Sequence, residues 1–374
     1  MKYSQTTIVI VKIVKKKEFI YIIKKMSGGI AQLVAIGAQD VHLTSDPEVS
    51  FFRSVYKRHT NFSTVLDYET IEGNPGNNNM STVTLKNKGD LLGYVYILAL
   101  ASTNDRVEKL TGTQWMDVID HVELLIGGQI IDTQDSTFSE IIAVDTLAQN
   151  LSRSALGSHH NGGGSDSYFY PLRFSIFENW NTVLPLVALQ YHDVTLRIYW
   201  KNIGSYNFKV VANNIYLDTE ERSYFSENEH QLLVYQVQKS FASNTKVQDL
   251  FFNHPVKFIA SSNTGSGSFF TATNKVKLQI NGLDVTESMF VVPTYTQSAS
   301  YYHCPYSVGN EDDFFLYPFC LDTSKNQPTG SLNFSRLDSA RIVSESADIT
   351  ENFYGVNYNI LKIKDGMGGL LYAD

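Results

Sequence analysis

The sequence predicts an all-β protein built from two consecutive antiparallel domains, and three observations carry that expectation. First, its 374 residues exceed the roughly 250–300 at which a single hydrophobic core stops growing. Second, charged residues are 18% of the chain against about 25% in an average soluble domain, while Tyr and Phe supply 22 each. That balance excludes a disordered chain and a charged helical bundle, and it suits pleated sheets, which accept aromatic and β-branched side chains. Third, short apolar runs alternate with turn residues at intervals of about 8–12, as strands do in sandwiches and barrels.

The elements follow in order. Asp46-Pro47 sets an N-cap residue before a proline, predicting a helical turn within residues 48–56. Strands are expected at 62–71, 82–85, 91–101, 121–126 and 129–132, the last two joined by the tight turn Gly127-Gly128. Residues 136–149 space Phe138, Ile141, Ile142, Val144 and Leu147 as one helical face, with Ser136 or Thr137 as cap and Glu140 in the first turn. A polar loop at 157–167 (GSHHNGGGSDS) precedes apolar stretches at 169–177 and 184–191 and an alternating strand at 194–200. The acidic stretch 218–230 (DTEERSYFSENEH) reads as the linker. Beyond it strands are expected at 231–239, 256–260, 275–280, 314–321, 341–343 and 357–363, with a Gly/Ser turn at 261–268 and a hairpin signal at Asn281-Gly282. The resulting plan is an extension at 1–27, a first domain at 28–220, a linker at 221–230 and a second domain at 231–374.

Charge is unevenly spread. Residues 1–25 hold seven lysines and one glutamate, so removing their +6 from the chain total of −8 leaves −14 on the rest. A body that acidic is not expected to bind nucleic acid directly. The basic segment lacks the uninterrupted apolar core and cleavage site of a secretory signal. It reads either as an arm touching anionic lipid or a neighbouring subunit, or as an upstream in-frame extension with translation starting at Met26. Cys304 and Cys320 are the only cysteines, which excludes a disulfide framework and favours a reducing compartment. No apolar run approaches the roughly 18 residues of a membrane span.

Catalytic constellations are weak throughout. His159-His160 with Asp166 lacks a third spaced ligand. His303-Cys304 and Cys320 have no Cys-x-x-Cys companion, and His121-x-Glu123 and His192-Asp193 lie in strand-like sequence where adjacent side chains face opposite ways. There is no phosphate loop and no nucleophile elbow. The glycines of Gly366-Met367-Gly368-Gly369 read as a close chain approach. Sequons occur at Asn61, Asn79, Asn150 and Asn333, and without a secretory signal they are expected to stay unmodified. No catalytic, cofactor or metal residue is expected, and a structural or binding role is favoured over an enzymatic one.

Specific words then narrow the reading. Gln32-Leu33-Val34-Ala35, Gly37-Ala38-Gln39-Asp40, Leu43-Thr44, Phe51-Phe52 and residues 56–62 (YKRHTNF) resemble the opening signature of the major capsid proteins of large icosahedral nucleocytoplasmic DNA viruses. Leu184-Pro185-Leu186 with residues 188–192 (ALQYH) resembles that family's motif before the last strands of the first barrel. Residues 327–331 (QPTGS) with 333–338 (NFSRLD) resemble its turn into the final strands, and residues 357–361 and 366–370 its C-terminal ending. The resemblance implies two consecutive eight-stranded jelly-roll sandwiches with one or a few short helices in loops. It implies a homotrimer of pseudo-hexagonal outline that tiles the capsid shell, packs against neighbouring capsomers and minor or cement proteins, and is assembled in the host cytoplasm. It carries over no catalytic residue. Arg53, Lys57, Arg58 and His59 are then candidates for an assembly interface on the inner side of the shell. The body is short for the family, with residues 204–217 and 261–268 standing where larger excursions are expected, and residues 1–25 have no counterpart. These departures leave open a low-copy minor capsid paralogue at vertices or membrane contacts. From another class, a glycan- or receptor-binding jelly roll would use Tyr301-Tyr302 and His159-His160.

Overall fold

A computed structural model describes residues 28–85, 88–103, 106–110, 114–155, 168–263, 269–308 and 314–372. The basic segment 1–27 and the His159-His160 loop with Asp166 lie outside the described residues. By contacts the chain divides into the units Met1–His59 and Thr60–Asp374. In the first unit the described elements are the short helices Gly28–Val34 and Val41–Thr44. The helical turn expected within 48–56 does not form. Asp46 has φ of +49°, outside the extended conformation an N-cap needs, and the chain makes only a turn near Phe51.

The second unit is antiparallel β-sheet. Its first ten strands are β1 (Phe62–Glu69), β2 (Ile71–Glu72), β3 (Met80–Leu85), β4 (Leu91–Ala101), β5 (Ile119–Ile126), β6 (Gln129–Asp135), β7 (Phe169–Pro171), β8 (Leu184–Pro185), β9 (Val194–Trp200) and β10 (Tyr206–Leu217). They form two facing sheets, β1-β10-β4-β7, with β8 on β4, and β2-β3-β9-β5-β6. Between them lie Val83, Leu124, Leu196 and Ile198 from one sheet and Val95, Ile97 and Val210 from the other, with Trp115, Tyr170 and Trp200 filling the volume.

The remaining strands are β11 (His230–Ser240), β12 (Val247–Asp249), β13 (Pro255–Ser262), β14 (Lys275–Ile280), β15 (Leu283–Asp284), β16 (Met289–Phe290), β17 (Phe314–Pro318), β18 (Leu332–Asn333), β19 (Ala340–Ser344), β20 (Phe353–Lys364) and β21 (Met367–Leu370). They give a second pair of sheets, β11-β20-β13-β17, with β18 and β21 attached, and β12-β19-β14-β15, with β16 attached. Val256, Ile259, Phe315 and Phe353 meet Val276, Leu278 and Ile342 in the second core.

Three differences from the sequence reading have physical causes. Residues 204–217, read as a shortened excursion, contain the twelve-residue strand β10, which pairs with β1 on one side and β4 on the other. Two adjacent asparagines hid it. Both are buried: Asn214 Nδ2 donates to Asp67 Oδ2 (2.9 Å), and a bulge between Ala212 and Asn214 lets Asn213 sit against Gly93, where a Cβ would lie 2.6 Å from Asn213 Oδ1. The expected strand at 169–177 stops at Pro171 and gives way to the helical turn Ser175–Glu178. The acidic linker is a helix, Thr219–Glu227, opened by Asp218, whose side chain accepts from Thr219 N (2.8 Å).

The expected helix at 136–149 is present as a π-helical turn, Phe138–Ile142, running into the α-helix Ala143–Thr146. It is not half-exposed. Phe138, Ile142, Ala143 and Leu147 pack against Tyr235, Phe258, Ala260, Phe314, Leu316, Tyr354 and Val356 on the outer face of the β11-β20-β13-β17 sheet. That sheet is therefore covered on both faces, so β13 and the first half of β20 are buried continuously instead of at every second residue.

Candidate functional site

Arg53, Lys57, Arg58 and His59 all lie on an exposed stretch without regular structure that also presents Phe51 (94% exposed), Phe52 (98%), Val55 and Tyr56. Large apolar side chains left this open, interleaved with guanidinium and ammonium groups, suit a surface that another molecule covers. The sequon asparagines Asn61, Asn79, Asn150 and Asn333 are exposed as well. Asn150 Oδ1 and Asn333 Oδ1 accept backbone N–H bonds from Arg153 (2.9 Å) and Ser335 (3.0 Å).

The other singled-out residues serve structure. His121 stacks on Tyr199 with ring centroids 4.0 Å apart, and its Nδ1 lies 2.7 Å from Asp120 Oδ2. Glu123 accepts instead from Arg197 and Tyr199 on the neighbouring strand, both at 3.4 Å. His192 Nδ1 lies 2.9 Å from Gly368 O and Tyr191 N donates to Gly366 O (3.0 Å), so the C-terminal hairpin clasps the first sandwich. A Cβ at Gly366 would fall 2.5 Å from the Tyr191 ring and one at Gly368 2.7 Å from Leu189, which is the close approach those glycines predict.

Cys304 and Cys320 are buried free thiols. Burial pushes the Cys304 thiol up to about 12, so it stays protonated. His303 Nδ1 lies 2.9 Å from Cys320 O. Among the described residues no group of three His, Cys, Asp or Glu side chains is arranged to hold a metal.

Sequence reasoning missed the polar seam between the two sandwiches. Asp132 Oδ1 accepts from Val237 N (2.8 Å), and Gln236 Nε2 donates to Ile131 O (2.5 Å). Arg173 O accepts from Gln134 Nε2 (3.1 Å) and from Tyr235 OH (3.1 Å). Asp135 Oδ2 pairs with Lys239 Nζ (2.6 Å) and accepts from Tyr354 OH (2.8 Å). The only advance signal was the polar run Asp132-Thr133-Gln134-Asp135 continuing β6 toward the predicted helix. Together with the apolar plug around Phe138, the seam makes one continuous double sandwich.

Two family descriptions match the chain in succession: "Major capsid protein N-terminus" over residues 50–226 and "Large eukaryotic DNA virus major capsid protein" over residues 221–369. The major capsid protein of Pyramimonas orientalis virus is 30% identical over 407 aligned positions, covering 93% of this chain and all of the relative. The chain belongs to the major capsid protein family of large eukaryotic DNA viruses. The major capsid protein of Paramecium bursaria Chlorella virus 1 is 28% identical over 438 positions, again across 93% of this chain and all of the relative. The crystal structure of PBCV-1 VP54, fitted into a reconstruction of the virophage Sputnik, matches with a TM-score of 0.72 and 25% identity over 87% of this chain and all of that one. The Faustovirus major capsid protein shares the fold at a TM-score of 0.62 and 11% identity, over 88% and 94%.

As a capsid protein, the chain is a double jelly roll and a structural component of the capsid shell. The 407-position alignment contains only about 348 residues of this chain, so the relative carries insertions that this capsid protein lacks.

Proposed function

We propose that this capsid protein works as a homotrimer of pseudo-hexagonal outline that tiles the shell, with no catalytic role. The observation that carries the reading is the weld between two like sandwiches. Three copies of such a pair present six walls in rotation, which is the symmetry a hexagonal lattice needs from a three-fold unit. Residues 28–220 and 231–374 act as the two jelly-roll domains, joined through 221–230. An obligate trimer contact of this kind buries more than about 2,000 Å².

Arg53, Lys57, Arg58 and His59 form the assembly interface. Residues 60–374 carry 20 basic and 34 acidic groups, hence −14, so a basic stretch with Phe51 and Phe52 beside it is complementary to the body of an adjacent capsomer. Minor or cement proteins bridge the trimers, residues 1–25 contact an inner membrane, and assembly takes place in the host cytoplasm. The sequon asparagines, exposed as they are, carry no glycan. The test is charge reversal at Arg53 and Lys57. Trimers should form normally while shell assembly fails, and normal particles from the doubly reversed protein would refute the interface.

A further inference from the structure

We propose that the seam between the two sandwiches is a proton-set latch: Glu140, enclosed in the plug that joins them, holds the sandwiches together while neutral and loosens them when it ionises. The inference concerns the joint within one chain and stands apart from the trimer reading.

Glu140 is 2% exposed on the π-helical turn Phe138–Ile142, between two residues that anchor this turn to the second sandwich. Two positions before it, Phe138 packs on Tyr354 with centroids 5.5 Å apart; two positions after it, Ile142 enters the same cluster as Phe258 and Val356. Its Oε1 has no hydrogen-bond partner among the described residues. Such an atom is tolerable on a carboxylic acid and costly on a carboxylate.

The charged and titratable groups around it come from several elements. Arg173 is the cation that acts on it, but Arg173 also lies 3.9 Å from Glu178, which Arg153 binds at 2.7 Å. Asp135 of β6, which has Tyr170 as a neighbour in common with Glu140, is held by Lys239 of β11. Tyr170 is the phenol that interacts with Glu140, and burial raises it above its ordinary range, so it does not titrate between pH 5 and 8. Glu140 itself is raised from 4.5 to about 7 by burial, with Arg173 pulling the other way.

The sign follows. A carboxyl raised in the folded state contributes its full stability below the unfolded value of 4.5 and loses it as pH climbs through 7. The latch is closed in acid and open at mildly alkaline pH.

The experiment is thermal unfolding of the full-length protein and of E140Q from pH 5 to pH 8, with amide hydrogen exchange corrected for intrinsic rates. Wild type should lose several degrees of Tm across that window and lose protection at residues 138–146 and on β11. E140Q, permanently neutral, should keep most of both. An equal pH dependence in the two proteins overturns the proposal. If E140Q does not fold, the wild-type exchange data decide alone: unchanged protection at residues 138–146 between pH 5.5 and 8 overturns it.

Discussion

At the residue scale, His121, Glu123, His192, His303 and the two cysteines, which suggested chemistry, pack and pair within the fold. Cys304 is the plainest case: a thiol raised to about 12 by burial is a packing residue, so alkylating reagents at pH 8 should leave it unmodified in the native protein and label it after unfolding. Rapid native labelling of Cys304, read by mass spectrometry, would contradict its place in the core. Gly330 is a second case. It stands at φ of +140° in the Pro328-Thr329-Gly330 turn, and a Cβ there would lie 2.6 Å from Phe319 O. Strain and clash together should make Gly330→Ala cost roughly 2–3 kcal/mol in chemical denaturation. Lys257 extends the argument to pH. It is buried, its Nζ donates to Lys325 O (2.9 Å), and burial lowers it to about 8. A lysine lowered in the folded state gives its full stability above 10.5 and loses it as pH falls through 8. Wild type should therefore gain stability from pH 8 to 10 relative to Lys257→Met, and parallel profiles would show that the amine is not desolvated.

At the element scale, the helix over residues 138–146 joins the two halves: it belongs to the first half of the chain and covers the outer face of a sheet of the second. Phe138→Ala should cost about 3–5 kcal/mol and loosen both halves together, since a cavity there opens between them. Loss confined to one half, read by hydrogen exchange, would mean the two sandwiches are independent. This element also marks how far the sequence could be read. Most strands were legible because one-faced strands alternate, as in β9, where buried and half-buried residues take strict turns. β10 was not, because Asn213 and Asn214 interrupt its apolar run, and only the fold brings Asp67 to Asn214 and the bare backbone of Gly93 against Asn213. The helix was legible as a helix, but its period shows one apolar face and says nothing of a second sheet enclosing the other. The seam was illegible for the same reason: Asp132, Arg173 and Gln236 look like surface residues until the fold brings them together. The basic cluster was visible as a cluster, whereas its setting beside fully exposed Phe51 and Phe52 needed the structure.

At the scale of the whole molecule, low charge and abundant aromatics are explained by two cores, a buried joint and faces that a shell hides from water. On the proposed interface, the acidic body of one copy attracts the cluster Arg53, Lys57 and Arg58 of the next. Assembly driven by that attraction should weaken with salt, whereas a trimer held by apolar burial should not. Light scattering of assembly mixtures at about 0.05 M and 0.5 M salt checks this, with salt-independent assembly as the adverse result. The most direct test of the central claim is size-exclusion chromatography with light scattering on the purified protein. A shell-building double jelly roll predicts a stable species of three times 42.1 kDa that persists on dilution. A 42.1 kDa monomer at every concentration would contradict it.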